Sequence, residues 1–230
     1  MIPLELRFIA NREEKDMLVR KKMKKDLVTI TKDERMTTAK KILKEKKIRH
    51  LPVVEGKKLI GLVSNMDIRK AEASPATSLE IRELHYLLDK LTVGEIMTRN
   101  VITIAPDISV EEAATLLHDN QIGCLPVVEN SNLVGMITEN DVMEILIDVM
   151  GMKEKGSRLE VLLEDKPGAL AEVTRIIKEH NVNIISVVTD VADEPGKRVV
   201  ILKLKTFYFE PIKKALEAAG LPVAYAKIEK

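Results

Sequence analysis

The sequence predicts a mixed α/β (α+β) protein in two parts: a tandem pair of αβ repeats packed about a pseudo-twofold axis, then a ferredoxin-like βαββαβ domain. Three observations predict it. Leu51-Pro52-Val53-Val54-Glu55 recurs as Leu125-Pro126-Val127-Val128-Glu129, and Gly61, Ser64 and Asp67 are echoed by Gly135, Thr138 and Asp141, always 74 residues on. Each copy reads strand, helix, strand, strand, helix. After residue 157 the apolar period changes and a new series of alternating strands and amphipathic helices begins.

Residues 1–16 stand outside the repeat as an N-terminal extension, and the first repeat occupies 17–72. A helix carrying Ala39, Ile42 and Leu43 is followed by strands over Leu51–Val54 and Leu59–Val63. The segment 73–92 links the repeats; Ala73-Ser-Pro-Ala-Thr77 reads as a loop, and Thr77-x-x-Glu80 caps a helix striped by Leu84, Leu87, Leu88 and Leu91. The second repeat, 93–151, opens with a strand over Val101–Ile104 and a capping box at Ser109-x-x-Glu112. Strands then run over Cys124–Val128 and Leu133–Ile137, and a helix with Val142, Ile145, Leu146 and Val149 on one face stops at Gly151. One repeat of this size buries little alone, so two packed together make the natural folding unit.

A polar linker spans 152–157 and the last domain 158–230. In that domain Arg158–Glu164 alternates as a strand, and Asp165-Lys-Pro-Gly168 leads into a helix with Leu170, Val173 and Ile177 inward. Strands at 182–189 and 197–205, a helix at 211–219 and a strand at 222–228 complete βαββαβ.

Composition excludes several classes. The formal net charge is +1, so no global field draws the chain to nucleic acid or anionic lipid, and the basic run Arg20–Lys25 reads as a solvated helix face. A single cysteine, Cys124, forms no intrachain disulfide and suits a reducing, cytoplasmic setting; with the four histidines it shows no metal-ligand spacing. No apolar run reaches the roughly 18 residues of a membrane span. Frequent Lys and Glu with one glutamine, Gln121, match heat-adapted composition. Serine-nucleophile, P-loop and dinucleotide fingerprints are missing, so the expectation is no enzyme, no catalytic residue, no catalytic cofactor and no metal.

The Gly-x-x-Ser/Thr-x-x-Asp pairs carry the most information. A glycine lets a bulky ligand approach the strand, a hydroxyl can donate to phosphate, and a carboxylate can accept from both ribose hydroxyls. The adjoining helix N-terminus adds backbone donors. A single Ser/Thr-x-x-Asp is equally an ordinary helix cap, but two copies, each preceded by its own Leu-Pro-Val-Val, resemble the CBS-domain motif. The resemblance covers residues 19–150 and implies a Bateman module binding an adenosine ligand: AMP, ADP, ATP or S-adenosylmethionine. On that resemblance Asp67 and Asp141 hold ribose, and Ser64 and Thr138 hold phosphate. Adenine lies against Thr29 or Thr103 and the segments His50-Leu51-Pro52 or Cys124-Leu125-Pro126. Core packing alone also accounts for His50 and Cys124. The two rims differ, Arg49, His50, Lys57, Lys58 and Arg69 facing Gly123, Cys124, Ser131, Asn132 and Met143 at equivalent positions. Which cleft receives which charges is left open.

Asp165-Lys-Pro167-Gly168-Ala-Leu170, with Asn181-Val-Asn-Ile184, resembles the start of ACT domains over residues 158–230. That implies a homodimer through the sheet and a free amino acid near the turn; a helix started by Pro167 with Gly168 closely packed explains the same residues without a ligand. The order CBS, CBS, ACT resembles the acetoin-utilisation (AcuB-like) regulatory proteins, which implies a non-catalytic sensor. The alternative is a ligand-free module that acts through protein contacts.

Overall fold

In the computed structural model, residues 17–73 and 90–229 are described, and the chain divides into two compact units, Met1–Val142 and Met143–Lys230. The 1–16 extension and most of the 73–92 linker, with its leucine-striped helix, lie outside the described residues.

The repeat is built twice, all but the end of its last helix lying in the first unit. Helix α1 (Val19–Lys22), helix α2 (Met36–Glu45), strands β1 (His50–Glu55) and β2 (Lys58–Ser64) and helix α3 (Asn65–Ala73) form one series. Helices α4 (Val93–Ile96) and α5 (Val110–Asp119), strands β3 (Cys124–Glu129) and β4 (Asn132–Thr138) and helix α6 (Glu139–Val149) form the other. Each strand pair is antiparallel with a bulge at the same place, between Val53 and Val54 and between Val127 and Val128. The strand expected over Val101–Ile104 is a single parallel bridge, Ile104 to Val127, matching Ile30 to Val53. Ser109 caps α5 by accepting from the Glu112 amide, half of the expected box; a complete box forms at Thr92 and Glu95.

The leading segment of each repeat is exchanged. Lys24 and Met136 share two backbone hydrogen bonds (2.9 and 3.0 Å), and Thr98 and Leu62 share two (both 2.9 Å). Leu18 likewise bridges Ser109, and Thr92 bridges Arg35. Every such pair has its mate at the repeat offset, which is the pseudo-twofold relation. Val93 and Met97, from the second leading segment, therefore sit in the first repeat's core with Leu43, Leu51, Val53 and Val63. Burying each such side chain contributes about 2 kcal/mol, so each repeat needs the other.

The exchange explains the motif glycines. A Cβ on Gly61 would collide with the Met97 side chain, and one on Gly135 with Met23. The expected approach of a ligand over these glycines is thus taken by methionines. The basic run is also corrected: α1 ends at Lys22, Met23 turns inward and Lys24 reaches Asp141 at 2.7 Å, so the run is not one solvated helix face. In α6 Ile145 is buried, whereas Leu146 and Val149 are exposed, because the inward line passes through Asp141 and Ile145, one turn apart.

The second unit carries a four-stranded antiparallel sheet in the order β6-β7-β5-β8: β5 (Gly156–Glu164), β6 (Ile184–Val191), β7 (Lys197–Leu204) and β8 (Val223–Glu229). Helices α7 (Ala169–Glu179) and α8 (Glu210–Ala218) cover one face, closing a core around Leu159, Val161, Val173, Ile177, Leu202 and Leu216. Leu170 remains exposed instead of joining that core. Pro167 does not start the helix; Gly168 is its N-cap at φ 86°, and a Cβ there meets nothing within 4 Å, so the glycine answers a left-handed backbone and not close packing. Gly168→Ala is accordingly expected to cost about 1 kcal/mol, measured by urea unfolding followed by circular dichroism; an unchanged midpoint would sink that account.

Candidate ligand clefts

At the end of β2, Ser64 and Asp67 bond reciprocally. The Ser64 amide and hydroxyl donate to Asp67 Oδ2 (2.8 and 2.6 Å), and the Asp67 amide donates to Ser64 Oγ (3.3 Å). Thr138 and Asp141 repeat the pattern at 2.9, 2.6 and 3.3 Å. Both motifs are therefore helix caps, and each hydroxyl has committed its one proton to its own carboxylate. Donation to a phosphate from Ser64 or Thr138 requires that bond to open.

The second carboxylate oxygen distinguishes the copies. Asp67 Oδ1 has no hydrogen-bond or ion-pair partner among the described residues, and Asp67 lines a cavity of about 370 Å³ with His50, Ser64, Thr98, Val101 and Cys124. Asp141 Oδ1 is bridged by Lys24 Nζ at 2.7 Å, and Asp141 is buried. The cavity beside Thr138 is about 120 Å³, lined by Lys24, Lys47, Arg49, His50, Met136 and Asn140. These residues are the repeat counterparts of Thr98, Gln121, Gly123, Cys124, Leu62 and Met66, all lining the larger cavity. Of the unequal rim residues, Gly123 and Cys124 line the Asp67 cavity, where Lys70 is a lining cation, and Arg49 lines the smaller one; His50 lines both, and Lys58 and Ser131 line a third space.

His50 lines both cavities, and its ring lies where a side chain on Gly123 would go. Burial, reinforced by the Arg49 charge, lowers its pKa, against weaker opposing pulls from Asp67 and Glu139. Cys124 is buried, and burial pushes its thiol up to about 12, which removes it as a nucleophile at neutral pH. Leu51, Pro52, Leu125 and Pro126 are buried strand residues behind the clefts. The structure does not bring Thr103 to the Asp67 cavity. It lines a separate space of about 250 Å³ with Lys58, Arg99 and Ser131, and Thr29 is exposed. The apolar wall near Asp67 comes instead from Val101, Ile102 and Ile122, the first two one or two residues ahead of Thr103 and the third three residues ahead of Leu125.

In the second unit Asp165, Pro167, Gly168 and Leu170 are all exposed at one turn. The Asp165 amide donates to Gly196 O (2.9 Å), and its carboxylate lies 3.7 Å from Arg198.

A repeat pair of this kind, joined through exchanged leading segments and followed by a βαββαβ sheet, defines a two-module protein of regulatory type. The chain matches the CBS domain over residues 15–74 and 93–148 and the ACT domain over 157–220, and it belongs to the CBS-domain proteins, with an ACT domain after the pair. An inosine-5'-monophosphate dehydrogenase of Korarchaeum cryptofilum is 29% identical over 195 residues, which are 80% of this chain and 38% of that enzyme. The chain thus spans well under half of that relative. Among solved structures, an AcuB protein of Vibrio cholerae ascribed to acetoin utilization is 31% identical, covering 59% of this chain and 94% of that one at a TM-score of 0.51. The CBS domain pair of protein MJ0100, solved with 5'-methylthioadenosine and S-adenosyl-L-methionine, is 32% identical over 56% of this chain and 98% of its own, at a TM-score of 0.48. No helix among the described residues is long and apolar enough to cross a membrane.

Proposed function

We propose that this chain is a non-catalytic, cytoplasmic regulatory sensor that binds one adenosine compound in the Asp67 cavity. One observation carries the reading: the half-buried Asp67, already oriented by its cap and with one carboxylate oxygen unpartnered among the described residues, lines a space of about 370 Å³, within the roughly 300–1,000 Å³ of small-molecule sites. Asp67 then accepts the ribose hydroxyls, and adenine stacks between Val101, Ile122 and the His50 and Cys124 walls. With Lys70 as the one lysine or arginine among the described lining residues, the cavity favours S-adenosylmethionine or AMP over a polyphosphate. The ACT domain supplies homodimerisation, with a free amino acid at the exposed Asp165–Leu170 turn as a second ligand class. Acetoin utilisation is the proposed pathway, supported by the Vibrio cholerae likeness.

The test is a titration of the intact chain with adenosine, AMP and S-adenosylmethionine, read by calorimetry and by melting. One adenosine compound per chain is expected, and at about 100 times its Kd it should add roughly 2.7 kcal/mol of stability. If none of them binds, the chain acts as a ligand-free interaction module, a reading that the self-occupied Asp141 cleft favours for its own half.

A further inference from the structure

The space of about 250 Å³ that Thr103 lines is bordered by neither motif aspartate. Three stretches of chain converge on it: the start of β2, the residues that follow the second exchanged segment, and the hairpin between β3 and β4. Val101 is the one described residue it shares with the Asp67 cavity. The hairpin turns through Asn130 and Ser131, both in the left-handed region (φ 49° and 66°), and this turn brings Ser131 to the rim.

Burial separates the lining residues by chemistry. Leu59, Ile60, Val101 and Val128 are half-buried and apolar, whereas Lys58, Arg99, Thr103 and Ser131 are exposed. Lys58 Nζ and the two hydroxyls have no hydrogen bond or ion pair among the described residues. Arg99 spends one nitrogen on Gly94 O at 2.7 Å and meets no carboxylate there. The nearby acids are taken: Glu55, cross-strand from Lys58, is held by Lys32 at 2.5 Å, and Glu129, just ahead of the turn, by Arg20 at 3.5 Å. Two cations without acidic partners thus stand beside an apolar wall.

We propose that this third space is a site for a short aliphatic carboxylate, its head held by Arg99 and Lys58 and its chain laid along Leu59, Ile60, Val101 and Val128. A guanidinium fork bonds a carboxylate in pairs, and the Thr103 and Ser131 hydroxyls can each donate to it. The apolar wall rewards a hydrocarbon chain in proportion to the area covered, which a bare anion cannot supply. A volume of about 250 Å³ lies just under the roughly 300 Å³ at which drug-sized ligands begin, so the occupant is smaller than a nucleotide. This does not depend on the Asp67 cavity binding adenosine.

The probe is sodium valerate, titrated by calorimetry into the intact chain at neutral pH and constant ionic strength. Sodium acetate and 1-pentanol, which carry only the head or only the chain, are parallel titrants. Valerate binds at one site in the parent and equally in Asp67→Ala, whereas acetate and pentanol bind at least tenfold more weakly. Lys58→Asn, which installs the residue of the second repeat at that position, and Arg99→Gln each weaken valerate binding at least fivefold. Lys58 has no partner to lose, so its variant keeps the parent's melting temperature. The proposal is overturned if valerate does not bind, if acetate or pentanol matches it, if Lys58→Asn binds as well as the parent, or if Asp67→Ala abolishes binding, which would move the ligand to that cavity. Failure of adenosine to bind strikes the sensor reading of the Asp67 cavity and leaves the valerate result standing.

Discussion

Asp67→Ala is expected to weaken binding of an adenosine compound roughly 100-fold, while Asp141→Ala leaves that affinity within about twofold and lowers stability instead. Two ribose hydroxyls donating to a carboxylate contribute about 1.5 kcal/mol or more each, and about 3 kcal/mol is two decades of affinity. Asp67 can accept them because only one of its oxygens is used by its cap. Asp141 has both oxygens engaged, and it is buried. Losing either cap costs about 1 kcal/mol. Asp141 is buried where Asp67 is half-exposed, so its removal also leaves a void, bringing its cost to about 2 kcal/mol. Lys24 adds little to that sum, because its side chain is 64% exposed and returns to water. Titration with S-adenosylmethionine and urea unfolding of both variants measure the contrast. Equal losses of affinity from the two aspartates would refute the division between the clefts.

Gly135→Val is expected to lower the melting temperature by about 10 °C. A Cβ at residue 135 overlaps the Met23 side chain and approaches the Lys24 carbonyl to 3.1 Å. Met23 is pinned by the backbone bonds from Lys24 to Met136, so relief requires the whole leading segment to move. Overpacking of this kind costs about 3 kcal/mol. Gly61→Val should behave alike through Met97 and Thr98. Scanning calorimetry gives the shift. If shortening the obstructing side chain, Met23→Ala in the Gly135→Val background, restored no stability, the collision would not be the cause.

The repeat made much of the fold legible because its two copies check one another. Leu51 with Leu125 and Val53 with Val127 are fully buried, as apolar strand residues at matched positions should be. The βαββαβ order was legible from periodicity, and the sheet order follows from it. What escaped was contact between distant segments. Met23 and Met97 stand at the 74-residue repeat offset, yet nothing local shows that they fill the space over Gly135 and Gly61. Lys24 sits in a run that reads as solvated, and only the strand pairing with Met136 aims it at Asp141. Val101 and Ile102 read as part of a short strand, and a cavity wall of valine and isoleucine has no signature beyond that. Leu170 failed for a different reason: it lies in the first turn after Gly168, ahead of the stretch where α7 meets the sheet.

The exchanged segments, equivalent in space, are unequal along the chain. Met97 reaches Gly61 across about 36 residues, whereas Met23 reaches Gly135 across about 110. Loop-closure entropy grows with the logarithm of that span, so the longer closure costs about 1 kcal/mol more for the same contact. The shorter loop should zip early during folding, and the longer one should close last and detach first. Near-symmetry thus acquires a temporal order, with Lys24 carried on the end that leaves first.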